Sequence, residues 1–373
     1  MVHLLSGFRE VCFFLNRYRH SWNRNCDISE FELFRADRWN CSKARNRGHM
    51  LDKTKLSPKG CLILLYLGAF GVVPAAMGQT YVFFDLPNTY YTYPLSVNSN
   101  GAVTGFATFG GTRLAFIRDP AGTITTFSAG SGFTVPVSIN DSGIITGTVG
   151  RHGFLRSPGG TIIVFDPTGS VNTLPRRINA AGSVVGYYFD AQNNAHGFVQ
   201  PLIGPGFVVN PPAGGLVALD INASGALVGF YGSPSGTHGF LRDPGGNFIS
   251  IDVPGAISTQ AISINDAGAI TGWYQQVQGV RFIGFVRDPA GNITSFSPEL
   301  HTKPLSINSE GAITGSTGGT LLGDGFVRSP SGTIVVFDAP GCLATHGISI
   351  NDQGVIAGWC DVGFRGRAFL RYP

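Results

Sequence analysis

The sequence predicts an all-β fold, a seven-bladed β-propeller made of four-stranded antiparallel blades. The first observation behind this prediction is a repeat. The motif Ile-Asn-x-x-Gly recurs at steps of 42, 39, 43, 43, 43 and 43 residues. Repeats of about 40 residues are typical of propellers, solenoids or arrays. The motif asparagines are Asn98 (which follows Val rather than Ile), Asn140, Asn179, Asn222, Asn265, Asn308 and Asn351.

The second observation is the internal pattern of each unit, which residues 261–297 illustrate. Two tight-turn sequences, Asn265 to Gly268 and Asp288 to Gly291, alternate with short apolar and β-branched runs. A turn-capping side chain in first position and glycine in fourth suit a type I turn with a left-handed residue after it. The pattern indicates four strands in a meander, with tight turns joining strands 1–2 and 3–4 at one end. Longer, variable loops are expected at the other end.

The third observation concerns the two ends of the repeat region. The last unit stops at Pro373 after its third strand, and the missing fourth strand is found before the first unit, at about residues 81–85. A linear solenoid would instead need capping ends. The offset therefore predicts a ring in which the N-terminal strand completes the last blade.

Residues 1–49 lie outside the repeat pattern. They contain eight arginines and three cysteines, Cys12, Cys26 and Cys41, whose spacing lacks any CxxC. A nucleic-acid-binding arm and a zinc site are two interpretations, the second with a poor spacing. The interpretation we favour is an upstream extension that is not translated or is disordered, because an export signal begins at Met50.

Residues 50–78 have the order of a secretory signal peptide. Three lysines precede the apolar run 61–73, and small residues, Ala76 and Gly78, occupy the −3 and −1 positions of a cleavage site. The run is too short for a comfortable membrane span. We expect the mature chain to be residues 79–373, secreted to an extracellular or periplasmic location, with no membrane span after removal of the signal.

The charge balance argues against a nucleic-acid partner. The chain has 26 Lys+Arg and 22 Asp+Glu, of which residues 1–78 hold 12 and 6, so residues 79–373 hold 14 and 16. The basic character belongs to the end that we expect to be removed, and it predicts neither nucleic-acid nor anionic-membrane binding.

The repeat region contains two cysteines, Cys342 and Cys360. If the turn at Asn351 sets the strand register, Cys360 lies opposite residue 345, within loop reach of Cys342. We therefore predict a disulfide between them, in an oxidising compartment.

Most repeated polar residues have a structural explanation. Turn formation accounts for the seven asparagines, and the phenylalanine of each third strand is expected in the core. The arginine that ends most third strands is expected at a solvated edge or paired with the following aspartate. Three histidines, His152, His196 and His238, share one position in adjacent units, but equivalent positions are too far apart to share one metal ion.

Unrepeated polar residues are better functional candidates, because the scaffold does not require them. Carboxylates could bind Ca²⁺ or cleave glycosides, but no spacing selects a pair. The sequence thus predicts neither cofactor nor metal, and residues 79–373 lack the usual catalytic motifs. The unrepeated set is Asp190, Asp220, Glu299, His301, Lys303, Glu310, His346 and Asp361.

Aromatic side chains cluster at the long-loop end of the units. Flat rings beside polar groups are the surface that a saccharide or a peptide would use, although strand residues alternate faces and about half of these rings would pack internally. The candidate ligand-binding residues are Tyr188, Tyr231, Trp273, Tyr274, Trp359, His301 and His346.

The repeat resembles the bacterial extracellular family called HAF repeats. The resemblance rests on INDSGIITG, HGFLRSPGGTIIVFD and INDAGAITGWY, and covers residues 79–373. His-Gly-Phe largely replaces the family's His-Ala-Phe here. The resemblance implies secretion and a repeat architecture, and it supplies no catalytic residues.

Three functions are compatible with the sequence. The leading hypothesis is a secreted, non-enzymatic protein that binds an extracellular glycan or protein through its long-loop face. A carbohydrate-active lyase or hydrolase that uses unrepeated carboxylates, His301 or His346 is the second. A structural surface or matrix protein is the third.

Overall fold

The computed structural model describes residues 79–210, 214–277, 281–318 and 323–373. These residues form 28 β-strands and no helix. The predicted upstream extension (1–49) and signal peptide (50–78) lie outside the described residues. The all-β class that the sequence predicts is confirmed.

Each strand occupies one of four positions in the repeated unit. The first strands are β2 (Tyr91–Val97), β6 (Thr134–Ile139), β10 (Asn172–Ile178), β14 (Leu216–Ile221), β18 (Ser258–Ile264), β22 (Lys303–Ile307) and β26 (Ala344–Ile350). The second strands are β3 (Val103–Phe109), β7 (Ile145–Val149), β11 (Val184–Phe189), β15 (Leu227–Ser233), β19 (Ile270–Gln275), β23 (Ile313–Gly318) and β27 (Ile356–Asp361). The third strands are β4 (Thr112–Arg118), β8 (His152–Arg156), β12 (Ala195–Gln200), β16 (Gly236–Arg242), β20 (Ile283–Arg287), β24 (Gly323–Arg328) and β28 (Gly366–Tyr372). The fourth strands are β1 (Thr80–Phe84), β5 (Ile124–Phe127), β9 (Ile162–Phe165), β13 (Phe207–Val209), β17 (Phe248–Ile251), β21 (Ile293–Phe296) and β25 (Ile334–Phe337).

The strands of a unit pair antiparallel in sequence order to form a four-stranded sheet. Two pairs of neighbouring sheets are linked further by single parallel bridges, Tyr91 with Gly366 and Thr237 with Ser258. The first strand of the described chain, β1, pairs antiparallel with the last strand, β28, and Phe83 lies opposite Phe369 in that register.

Both tight turns have the conformation that the sequence predicts. In the turn at Asn265, the Gly268 amide donates to the Asn265 carbonyl at 3.0 Å, and Gly268 has a φ of 84°. The Ala269 amide donates to the Asn265 side-chain oxygen at 2.8 Å. The turn at Asp288 repeats these bonds, because the Asn292 amide donates to the Asp288 carboxylate at 2.8 Å.

The same asparagines also connect neighbouring units, a role that the turn explanation does not include. Each side-chain amide nitrogen donates to the backbone carbonyl of the next motif asparagine at 2.9–3.2 Å, and Asn351 donates back to Asn98. Each asparagine is buried, so these bonds satisfy groups that would otherwise be costly to bury.

The core between adjacent sheets contains the third-strand phenylalanines, as predicted. All of them are at most 1% exposed: Phe116, Phe154, Phe198, Phe240, Phe285, Phe326 and Phe369. A glycine of each second strand lies beneath the first strand, which has a β-bulge there. At Gly272 a Cβ atom would lie 2.0 Å from the Gln260 carbonyl oxygen.

Three of the six third-strand arginines do not occupy the solvated edge that the sequence led us to expect, and the other three are half-buried. Arg118, Arg328 and Arg371 are buried, with 4–9% of their surface exposed. The Arg371 guanidinium lies 4.7 Å from the centre of the Phe337 ring on the neighbouring sheet. Four other arginines make the same cation–π contact, which explains why arginine recurs at this position.

Several connections between second and third strands are shorter than expected. Only Gly110 and Gly111 separate β3 from β4, and both have positive φ. Only Gly150 and Arg151 separate β7 from β8. Glycine permits these two-residue hairpins, so the strands extend where the sequence suggested loops.

Cys342 and Cys360 form the predicted disulfide, with their Cα atoms 5.8 Å apart. Thr345 lies opposite Cys360 in the pairing of β26 with β27, as the turn at Asn351 predicts.

Candidate functional site

The end of the units opposite the asparagine turns carries a set of exposed apolar side chains. These residues lie just before a first strand, in the connection from the preceding unit, and their exposed fractions run from 43% to 64%. We call this set the apolar rim. It consists of Tyr90, Phe133, Val171, Ile257, Leu300 and Leu343.

Phe364 is a further exposed apolar side chain at this end. It lies in the connection between β27 and β28, at the same end of the sheets, and it is 82% exposed. Soluble proteins seldom leave many large apolar side chains in water at one end unless a partner covers them.

Two of the predicted ligand-binding tyrosines lie inside the protein. Tyr188 and Tyr274 are each 5% exposed and pack in core clusters. The Tyr274 hydroxyl donates to the Ser295 hydroxyl at 3.2 Å. Tyr188 stacks on His196, with ring centres 5.0 Å apart. Little of either ring is available to a ligand.

Trp273 and His301 converge on one aromatic side chain, Phe282. The Trp273 ring centre is 4.7 Å from that of Phe282, and the His301 ring centre is 5.6 Å away. The Lys303 ammonium lies 3.9 Å from the Phe282 ring centre, within cation–π distance. Trp273 is 7% exposed, so a ligand at this group would contact Phe282, His301 and Lys303 rather than the indole.

Trp359 and His346 form a second aromatic group. Their rings stack 4.3 Å apart, and Trp359 also contacts Tyr93 edge to face at 5.2 Å. The Ser316 hydroxyl lies 3.2 Å from Nδ1 of His346. Burial lowers the pKa of His346 to about 4, so this imidazole is neutral at pH 7.

Tyr231, the remaining candidate, is half-buried and stacks on His238 with ring centres 5.4 Å apart. The structure therefore distributes the seven predicted residues among separate groups at the same end of the sheets. It does not bring all of them into one pocket.

Sequence reasoning missed the pairing of third-strand histidines with aspartates. His152 Nδ1 lies 2.5 Å from Asp166, and His238 Nδ1 lies 2.7 Å from Asp252. In both pairs the aspartate follows the histidine by 14 residues, and that spacing is the signal that could have revealed them.

The third histidine of this set has a different partner. His196 Nε2 lies 2.9 Å from Asp190, and this hydrogen bond is the main cause of a lowered pKa at Asp190.

One unit has two aspartates where three other units have an aspartate with a histidine or arginine. Asp324 and Asp338 have the same 14-residue spacing. Burial, and then the hydrogen bond and charge of Asp338, raise the pKa of Asp324 to about 6. A carboxyl that holds its proton near neutral pH can act as a general acid.

Arg177 lines a pocket near the asparagine turns and forms an ion pair with the buried Asp220. Arg177 Nε donates to Asp220 at 3.0 Å, and Ser263 donates to the other carboxylate oxygen at 2.6 Å. Two backbone amides, those of Ile221 and Ile264, also donate to Asp220. These bonds give Asp220 a structural role that accounts for its presence.

Within the described residues, no group of three or more His, Cys, Asp and Glu side chains is arranged to hold a metal ion. The same residues include no helix that is long and apolar enough to cross a membrane.

Comparison with known proteins identifies similar folds. A streptogramin B lyase superposes with a TM-score of 0.57 at 15% identity, covering 78% of this chain and 97% of the lyase. Virginiamycin B lyase from Staphylococcus aureus gives 0.56 at 13% identity, covering 79% and 99%. A puromycin hydrolase gives 0.54 at 12% identity, covering 74% and 52%. At such identities the likeness concerns the fold alone, that of all-β propellers with four-stranded antiparallel sheets.

No family model matches the chain, and no curated protein matches its sequence.

Proposed function

We propose that residues 79–373 form a secreted, seven-bladed propeller of the HAF-repeat type that binds a protein partner through its apolar rim. The pairing of β1 with β28 and the hydrogen bond from Asn351 to Asn98 support the closed seven-membered ring. The order of charged, apolar and small residues at 50–78 supports export. N-terminal sequencing of the secreted chain, with an expected start at Gln79, tests that part.

The observation that carries the binding function is the apolar rim. Leu300 and Leu343 are more than half exposed although their side chains are purely aliphatic. Four other units have an exposed apolar side chain at the same position, just before the first strand. Side chains of this kind gain free energy when a protein surface covers them, at roughly 25 cal/mol per Å² of apolar area buried. Of the rings that the sequence predicts for a glycan face, Trp273, Tyr188 and Tyr274 are largely covered, and the exposed rings Tyr90 and Phe133 lie among aliphatic side chains of the rim.

Substitutions at the rim test this function. Leu300→Ser combined with Leu343→Ser should weaken capture of the partner by about tenfold or more, because central apolar contacts dominate binding free energy. Capture from the cell surface by chemical cross-linking, followed by mass spectrometry, provides the measurement.

Ile163→Ser combined with Val164→Ser is the matched control, since these aliphatic residues of β9 are 55% and 48% exposed but lie on a fourth strand. The proposal fails if the rim variant captures the same proteins as the parent. A glycan-array signal that survives the rim substitutions would favour the glycan alternative.

A second candidate function is carbohydrate cleavage, and the Asp324–Asp338 pair favours it. Glycoside hydrolysis needs a carboxylic acid that protonates the leaving oxygen, and the raised pKa of Asp324 suits that role. Release of reducing ends from a polysaccharide, lost in Asp324→Asn, would support this candidate over the non-enzymatic protein.

A further inference from the structure

The hairpin between β15 and β16 brings two serines to a histidine–aspartate pair. Nε2 of His238 lies 2.9 Å from the Ser233 hydroxyl and 3.0 Å from the Ser235 hydroxyl. The opposite ring nitrogen, Nδ1, lies 2.7 Å from Asp252. We propose that Ser235, His238 and Asp252 form a nucleophile–base–carboxylate triad that hydrolyses small acyl esters. This activity goes beyond the proposed binding function and does not depend on it.

The surroundings fix the orientation of the His238 ring. The Ser250 hydroxyl donates to the second oxygen of Asp252 at 2.6 Å, which holds the carboxylate in place. The Tyr231 ring stacks on the imidazole at 5.4 Å with an interplanar angle of 28°. With Nδ1–H donating to Asp252, Nε2 is left as the acceptor that a general base needs.

Ser235 is the nucleophile of this group, and Ser233 positions it. Ser235 occupies the two-residue turn with Pro234 and is exposed, whereas Ser233 is half-buried in β15. Ser233 accepts a hydrogen bond from the Ser235 amide at 3.1 Å, and the two hydroxyls lie 2.7 Å apart. These bonds hold the turn so that the Ser235 hydroxyl points to Nε2 of His238.

A second unit shows that the histidine–aspartate pair does not need the serines. His152 contacts Asp166 through the same ring nitrogen, at 2.5 Å, and the hairpin before it consists of Gly150 and Arg151. The pair therefore joins the third strand to the residue that follows the fourth strand, in the absence of any hydroxyl in that hairpin. The serines on the other nitrogen of His238 add a nucleophile to a structural element that is already complete.

The chemical steps follow the usual logic of acyl transfer. The Ser235 oxygen attacks the ester carbonyl while Nε2 of His238 takes the hydroxyl proton. The C–O bond to the alcohol breaks, and His238 returns that proton to the leaving alcohol. Water then attacks the acyl-serine with His238 as base, giving a carboxylic acid and free Ser235. The balance is ester plus water to acid plus alcohol, without any redox step.

The openness of the site sets the class of substrate. Asp252 has 48% of its side chain exposed, and Ser235 is at the tip of the hairpin. An open site of this kind accepts a bulky alcohol on one side of the ester, so acetyl esters on a larger polymer are the class that fits.

A fluorophosphonate probe tests the triad directly on the purified chain. Attack by Ser235 forms an O–P bond and releases fluoride, and tandem mass spectrometry identifies the modified serine. We expect equimolar labelling of Ser235, abolished in Ser235→Ala. His238→Ala and Asp252→Asn should each slow labelling by about 100-fold or more, since general-base catalysis contributes that much.

His152→Ala is the matched control, because it removes the equivalent pair in another unit, and it should leave labelling unchanged. Hydrolysis of p-nitrophenyl acetate should follow the same order among the variants. Thermal melting of each variant verifies the fold, and Asp252→Asn keeps the test available if His238→Ala unfolds. Absence of labelling at Ser235, labelling that is insensitive to His238→Ala and Asp252→Asn, or labelling of another serine overturns the proposal.

Discussion

At the scale of single residues, each motif asparagine forms one hydrogen bond within its own turn and another to the neighbouring unit. Its side-chain oxygen accepts a hydrogen bond within its own turn, as in Asn265 with the Ala269 amide. Its side-chain nitrogen donates to the next unit, as in Asn265 with the Asn308 carbonyl at 3.0 Å. Aspartate could cap the turn equally well, but it has no N–H to donate. The second bond therefore explains why asparagine occurs at all seven positions, while aspartate and serine suffice in the other turn.

Gly272 should not tolerate a side chain. A methyl group would lie 2.0 Å from the Gln260 carbonyl oxygen and 3.0 Å from the Phe285 ring, so the first strand would have to move. We expect Gly272→Ala to lower the free energy of unfolding by about 3 kcal/mol, the upper range for overpacking. Urea denaturation measures this loss. Gly159→Ala is the control, because its Cβ would meet no atom closer than 3.9 Å; equal losses in the two variants would contradict the explanation.

The Asp324–Asp338 pair should give stability a specific pH dependence. The pKa of Asp324 is raised from 3.8 to about 6, so the folded state binds this proton more tightly than the unfolded state. Its contribution is present below about pH 4 and is lost as the pH rises through about 6. Asp324→Asn lacks this titration, and its stability relative to the parent should be greater at neutral pH than at pH 4.

The stability of the variant must be compared with that of the parent at each pH, because His346 changes the stability of both chains with pH in the opposite direction to Asp324. Its pKa is lowered to about 4, so it contributes stability above its ordinary pKa and loses it in acid. Thermal melts of both chains across this pH range provide the measurement. Glu310→Gln removes an exposed carboxyl elsewhere and controls for the change in net charge. A pH-independent difference between Asp324→Asn and the parent would contradict the assignment.

At the scale of single elements, the turns could be predicted and the exposure of strand residues could not. Asn-x-x-Gly and Asp-Pro-x-Gly specify a turn through bonds within the turn itself, so local sequence suffices. Trp273 and Tyr274 are adjacent in β19 and point to opposite faces of the sheet. Both are nonetheless buried, because neighbouring sheets or loops cover each face, and that cover is a property of packing rather than of local sequence.

The residues of the proposed triad, which sequence reasoning missed, depend on contacts between strands. His238 lies on β16 and Asp252 directly follows its partner strand β17, so the 14-residue spacing indicates a contact only once those strands are aligned. The serines that contact His238 lie in a hairpin of ordinary turn composition. Neither feature matches a known catalytic motif, and geometry was required to place the serines beside the pair.

The hairpin of β26 and β27 should depend on its disulfide. Cys342 and Cys360 are separated by 18 positions, and a crosslink that closes a loop of this length stabilises by about 3 kcal/mol in the chain-entropy model. Cys342→Ser with Cys360→Ala should lower the urea midpoint accordingly, and reductant should have the same effect on the parent only. Thiol titration in denaturant should find no free thiol from this pair before reduction; reductant-insensitive stability would contradict the prediction.

At the scale of the whole molecule, β1 is the strand on which our proposal of a closed ring depends. It adds to β28 through five register pairs from Thr80 to Phe84. The Tyr81 and Phe83 rings lie 5.7 and 6.5 Å from the Phe369 ring, and the Arg367 guanidinium lies 4.5 Å from the Phe83 ring centre. A chain that begins at Leu86 would expose these partners and one edge of β28.

We therefore expect a chain of residues 86–373 to melt at a lower temperature than one of residues 79–373, because Phe369 and the edge of β28 lose their cover. A synthetic peptide of residues 79–85, added in excess, should restore the higher melting temperature, since a ligand that binds only the folded state stabilises it by mass action. The same peptide with Phe83→Ala should restore it less, because it lacks the ring that contacts Phe369 and Arg367. Calorimetry with increasing peptide concentration measures all three. If the shorter chain melts at the same temperature as the longer one, or if the two peptides raise the melting temperature equally, β1 does not complete the last sheet and the proposed ring is wrong.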